Sequence, residues 1–222
     1  MTETVPGRTA SRLKLIALAL IFVAPLAAAT VYYYWVQAHG GPAHTTNHGH
    51  LLAHVQPLYD YDASDEPRPI AALEQAHLHH ADGTKADPSL FRDKWTLLYV
   101  AHGKCAKLCR QRLYDTRQVR AATGQDAWRI RRVLLMVAPR PGSGLEAFAK
   151  RVHPDLKVLF TASATALLRF FRPGPQARPS ADAGRVYLID PHGNWLMYYT
   201  RQDSASGMLK DLQKLLRIST IG

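Results

Sequence analysis

Apolar and polar positions divide the 222-residue chain into a long apolar run, a polar stretch and a region of short alternating elements. Residues 15–36 read LIALALIFVAPLAAATVYYYWV, without a charge. That length matches the roughly 20 residues a helix needs to cross a bilayer. Residues 37–69 hold Gly40, Gly41, Pro42, Pro57, Pro67 and an acidic run from Asp60 to Glu66, and read as a tether. From residue 70 the pattern is that of a folded domain. Trp95–Ala101 and Val133–Val137 are apolar runs, as expected of strands buried on both faces. A helix is expected from Lys104, with Leu108, Leu113 and Val119 at apolar positions. Ser143–Val152 opens on Ser143 with Glu146 three residues on, a helix-capping pattern. Leu156–Phe160 reads as a short strand and Ser163–Phe171 as a short helix. Val186–Ile189 and Asn194–Tyr199 flank Asp190-Pro191-His192-Gly193, whose Pro and Gly placement marks a β-turn and therefore a hairpin. Leu209, Leu212, Leu215 and Leu216 stripe a final helix. The order predicts an α/β domain over 70–222, a mixed sheet flanked by helices of thioredoxin-like type, preceded by one transmembrane helix.

Charge gives the apolar run a direction. Arg8, Arg12 and Lys14 against Glu3 keep residues 1–14 in the cytoplasm and export the rest. Tyr32, Tyr33, Tyr34 and Trp35 suit the far membrane–water boundary. Ala27-Ala28-Ala29 fits a signal-peptide cleavage pattern, but the apolar run continues past it and favours an uncleaved anchor. The expected location is the inner (plasma) membrane, single-pass, with a periplasmic C-terminal domain. An apolar fraction of 47% excludes global disorder, and two cysteines exclude a disulfide-rich scaffold or a four-cysteine zinc site. The net charge of +11 admits an anionic partner, and export argues against nucleic acid. Residues 104–132 carry nine Lys/Arg and two Asp, either a docking face or a solvated helix face.

Cys105 and Cys109 are the chain's two cysteines. Placed i and i+4 on one helix face, their Cα atoms would lie roughly 6 Å apart, close enough for a disulfide or for a shared soft ion such as Cu(I). Lys104, Lys107, Arg110 and Arg112 favour thiolate there. A bridge closing so short a loop is a weak staple, which favours redox or metal chemistry over a structural role. His39, His44, His48, His50 and His54, then His77, His79 and His80, form either a metal-capture arm or a polar linker. Their irregular spacing favours the linker. Trp95, Tyr99 and Trp195 read as core packing. No Ser-His-Asp arrangement follows from spacing, and there is no glycine-rich phosphate loop.

The order of KWTLLYVAHGKCAKLC, VLLMVAPRP and VYLIDPHGNWLMYY before a C-terminal helix resembles the Sco/SenC family of membrane-anchored, thioredoxin-like proteins. The resemblance covers about residues 70–217, and is strongest to a divergent branch encoded beside cytochrome oxidase genes. It implies a role in assembling the copper centre of cytochrome c oxidase, with oxidase subunits or another copper/thiol assembly factor as partners. It also implies a metal site of both cysteines and a histidine shortly before the hairpin strand. That histidine position falls at or near Asp182, and residues 173–186 contain no histidine. The family's prolines in and after the cysteine motif are replaced by Ala106 and Arg110. A carboxylate suits Cu(I) poorly. The reading is therefore thiol–disulfide exchange, with Cys105 attacking and Cys109 resolving; no cofactor is certain, and copper held by Cys105 and Cys109 is the candidate. One alternative is a Cu(I) metallochaperone whose third ligand is His102, His192 or Asp182. The other is a non-catalytic assembly scaffold.

Overall fold

The computed structural model describes residues 8–38, 46–61, 66–138, 143–174, 176–177, 181 and 183–220. The chain forms two units, divided after Thr46. The first holds helix α1, Arg8–Ala38, with Pro25 inside it. Its Arg12–Trp35 stretch has a mean hydropathy of 2.4 and is long and apolar enough to cross a membrane. Twenty-four helical residues span about 36 Å, against a hydrocarbon core of about 30 Å.

The second unit is built on a sheet. Its strands and helices in chain order are β1 (His50–Pro57), β2 (Tyr59–Tyr61), β3 (Pro67–Pro69), α2 (Ala71–Glu74), β4 (Trp95–His102), α3 (Lys107–Ala122), β5 (Ile130–Val137), α4 (Ser143–Val152), β6 (Leu156–Thr161), α5 (Thr165–Phe170), β7 (Val186–Ile189), β8 (Asn194–Tyr199) and α6 (Ala205–Ile218). Six strands pair in the order β1-β8-β7-β4-β5-β6, and β2 pairs with β3 separately. β4, β5 and β6 run parallel, while β7, β8 and β1 add antiparallel pairings. This is the expected mixed sheet of thioredoxin-like type.

Alternation along β4 sorts the core into two layers. Trp95, Leu97, Tyr99 and Ala101 face one side, with Leu113 of α3 and Met208, Leu212 and Leu216 of α6. Leu98 and Val100 face the other, with Leu73 of α2 and Leu167 of α5. Both faces being covered explains the uninterrupted apolar reading of β4 and β5. Trp195 is fully buried among Phe170, Phe171, Tyr187 and Tyr198. Trp95 and Tyr99 are also buried, so all three aromatic residues are core.

Several boundaries differ from the sequence reading, β5 among them, which starts at Ile130 rather than Val133. The sheet begins inside the expected tether, because His50–Pro57 forms β1 against β8. β1 is an edge strand with mostly exposed side chains, so no apolar alternation marks it. It is held instead by Asp211 of α6, whose buried carboxylate accepts from the backbone N–H of His48 at 2.9 Å and of Gly49 at 2.9 Å. Tyr199 Oη donates to the same carboxylate at 3.3 Å. Helix α3 starts at Lys107, three residues later than expected.

Five of the nine cations at 104–132 serve the fold. Arg132, fully buried, donates to both Asp155 carboxylate oxygens at 3.0 and 3.1 Å, to Thr116 Oγ1 at 3.1 Å and to the Leu113 carbonyl at 2.5 Å. Arg120 donates to the Ile130 carbonyl, Arg112 to that of Thr200, Arg129 to those of Leu216 and Ser219, and Arg131 to those of Leu90 and Arg92.

Candidate functional site

The cysteine pair sits where β4 hands over to α3. After His102 the chain turns at Gly103, whose φ of +63° favours glycine. Ala106 stays extended and caps the helix without a side-chain hydrogen bond. Arg110 N–H closes the first turn on the Ala106 carbonyl at 3.0 Å. Cys105 thus lies outside the helix and Cys109 inside its first turn, and the two do not share a helix face as i and i+4. The turn brings their Cα atoms to 5.2 Å, and they form a disulfide.

The two sulfurs are not equivalent. Cys109 is 4% exposed and packs in the core layer of Leu113, whereas Cys105 lies at the edge of that layer, partly open to solvent. The first turn of α3 carries no acidic residue, and Ala106 gives its N–H groups no side-chain acceptor. No first-turn acid or side-chain cap therefore offsets the positive end of the helix beside the pair. Lys104, Lys107 and Arg110 are exposed around the pair. Both influences stabilise a thiolate when the bridge opens.

A cavity of about 290 Å³ opens beside Cys105. Met136, Leu145, Phe148 and Phe160 line it, and Lys104 and Arg110 stand at its rim. The Arg110 guanidinium lies over the Phe148 ring, 5.3 Å from its centre. These residues come from β5, α4, β6, the turn before α3 and the first turns of α3. No sequence spacing unites them, and read singly they are ordinary apolar positions.

Neither histidine proposed as a third ligand is placed with the cysteines. His102 ends β4 at an even position, on the alternation that faces α2 and α5, whereas the cysteines belong to the α3 side. His192 lies at the other end of the sheet. Thr96 pairs with Ile189, and Asp93 N–H donates to the Pro191 carbonyl at 2.8 Å, so the hairpin turn adjoins the start of β4. The cysteines follow its end, about 20 Å away for six strand residues. Asp182 lies outside the described residues, as do His39 and His44.

Of the remaining histidines, His48 contacts Asp211 at 3.1 Å and His50 contacts Asp203 at 3.3 Å, both as ties between the β1 region and the α6 end. His54 is exposed. His77, His79 and His80 line a second cavity of about 420 Å³, which shares Ala138 and Phe160 with the first. Among the described residues no three His, Cys, Asp or Glu side chains are grouped to hold a metal ion. The described donor set beside the sulfurs therefore does not fit a two-cysteine, one-histidine copper site.

A family model described as "Transmembrane-like, thioredoxin-like, C-terminal domain" matches residues 95–219. No curated protein matches the sequence. Among solved structures, apo Sco1 from Thermus thermophilus has a TM-score of 0.55 at 17% identity, covering 79% of this chain and 99% of that one. Copper-bound ScoI from Arabidopsis thaliana has a TM-score of 0.53 at 19% identity, covering 64% and 96%. Copper-bound yeast Sco1 has a TM-score of 0.53 at 15% identity, covering 65% and 87%. At these identities the likeness is one of fold.

Proposed function

The chain belongs to the transmembrane-like, thioredoxin-like family, and from that premise we propose that it is a membrane-anchored thiol–disulfide exchange protein of the extracytoplasmic face, assisting assembly of the cytochrome c oxidase copper centre. The observation that carries this reading is the asymmetry of the pair: an accessible Cys105 bridged to a buried Cys109 at a helix start. The Sco-like fold and the sequence resemblance support the choice of pathway. The cations before the apolar run of α1 support a cytoplasmic N-terminus.

In the reduced protein, the Cys105 thiolate attacks one sulfur of a partner disulfide. A bond forms between Cys105 Sγ and that sulfur, the partner's S–S bond breaks, and the second partner sulfur leaves as a thiolate that takes a proton from solvent. Cys109 gives its proton to solvent and attacks Cys105 Sγ, releasing the first partner sulfur. The partner gains two electrons and the pair loses two, ending as the bridge seen here. An external dithiol returns the pair to its reduced form. Copper, where it enters, belongs to the partner as cargo, and no step of this exchange passes through it.

Replacing Cys105 by Ser in cells tests the reading. It predicts loss of exchange and less assembled oxidase in the membrane. Undiminished exchange overturns the redox assignment, and undiminished oxidase overturns the choice of pathway. An anaerobic Cu(I) titration of the reduced protein addresses the metallochaperone alternative, which predicts tight one-to-one binding lost on replacing both cysteines.

A further inference from the structure

The cavity beside Cys105 is larger than exchange between two sulfurs requires. Its walls are apolar, from Met136 and Ala138 at the end of β5, Leu145 and Phe148 of α4, and Phe160 of β6. Its rim is cationic, with Lys104 and Arg110 exposed next to the accessible sulfur. Arg110 is braced over Phe148, so one residue closes the apolar wall and presents a positive charge outward. Four of the nine cations of this region, Lys104, Lys107, Arg110 and Arg117, are exposed, and three of them lie within five residues of Cys105. An apolar recess of 290 Å³ has room for one large side chain.

Resting on the thiol-exchange reading, we propose that this cavity selects the partner. It takes a bulky apolar side chain next to the partner's reactive cysteine, while an acidic residue on the cysteine's other side pairs with Arg110 or Lys104. The occupant is thus an apolar–Cys–acidic segment, and its apolar side chain holds the partner sulfur in reach of Cys105 Sγ. Burial of the apolar group supplies affinity, and the cation–carboxylate contact at the rim fixes direction.

Gly144 offers a clean obstruction. It lines the cavity, and a Cβ built there meets no atom within 4 Å. Gly144→Phe therefore adds a ring at the cavity's lining without a clash at Cβ. Leu145→Gln, as a second variant, makes the wall polar without adding bulk.

The test uses the reduced full-length protein in detergent micelles. Its rates are measured with two disulfide-linked peptide dimers, one with Phe before and Asp after the cysteine, the other with Ser and Gln, each referred to the rate with bis(2-hydroxyethyl) disulfide. The expected result is at least a tenfold preference for the Phe/Asp peptide, falling toward unity in both variants. Equal rates with the two peptides, or a preference that survives both variants, overturns the cavity's role and leaves the exchange reading standing. A protein that fails to reduce even bis(2-hydroxyethyl) disulfide overturns the exchange reading, and this inference falls with it.

Discussion

Cys105 and Cys109 are bridged across the boundary of helix α3, with the first outside the helix and partly open and the second inside and 4% exposed. A partner sulfur reaches the partly open Cys105 first, while Cys109 is buried in the core layer. Cys109→Ser should therefore accumulate a mixed disulfide through Cys105 with a peptide disulfide, visible by mass spectrometry without reductant. Cys105→Ser should form none at the same peptide concentration. Equal trapping by the two variants would refute the assignment of roles.

The Arg132–Asp155 pair fastens the β5 side of the sheet to α3. Burial is the largest influence and works against the charge on Asp155, but the charge and hydrogen bonds of Arg132, a backbone hydrogen bond and the Arg120 charge together hold the carboxyl below its ordinary 3.8. A carboxyl depressed in the fold stabilises fully above its unfolded value. That contribution is lost as pH falls from about 3.8 through the folded value. Asp155→Asn should flatten the decline in stability in this acid window, measured by urea unfolding between pH 5 and pH 2. Arg132→Met leaves Asp155 with Arg120 as its remaining cation and takes the donor from Thr116 and the Leu113 carbonyl, and should cost about 3 kcal/mol.

Asp211 holds the start of β1, and removing its carboxylate leaves backbone donors of His48 and Gly49 without their acceptor. Each such loss costs about 1–3 kcal/mol. Asp211→Ala should raise hydrogen exchange over residues 48–57 while leaving β4 and β5 protected. Gly207→Val should do the same by contact, because a Cβ there would lie 2.6 Å from that of His48. Exchange unchanged in both variants would show that β1 is held by its ladder to β8 alone.

Two neighbouring cations of α3 should respond differently to charge reversal. Arg120 donates to the Ile130 carbonyl and lies 3.5 Å from Asp155, so Arg120→Glu should destabilise the domain. Arg117 is exposed, and Arg117→Glu should stay within about 0.5 kcal/mol of wild type by thermal unfolding.

The strands of the central sheet were legible in the sequence because burial on both faces makes them continuous apolar runs. Trp95–Ala101 extends by a single residue, and Val186–Ile189 and Asn194–Tyr199 fall where the turn signal puts them. β1 was not legible, since an edge strand tied by a distant aspartate leaves no local pattern. Cys105 and Cys109 were visible from spacing alone, but not their placement on either side of the helix boundary, which Gly103 and the extended Ala106 decide. The cationic run read as one surface feature, whereas burial turns five of its members inward to serve backbone carbonyls and Asp155. His102 and His192 looked equally available as ligands until strand parity and the antiparallel β7 separated them from the sulfurs.

The central claim, a working redox pair, is tested most directly by a redox titration of the full-length protein with alkylation and mass spectrometry of Cys105 and Cys109. A bridge closing so short a loop, with one sulfur accessible, should interconvert reversibly at a potential above about −300 mV. A bridge that stays closed below that potential would contradict the account and make the disulfide a fixed structural link.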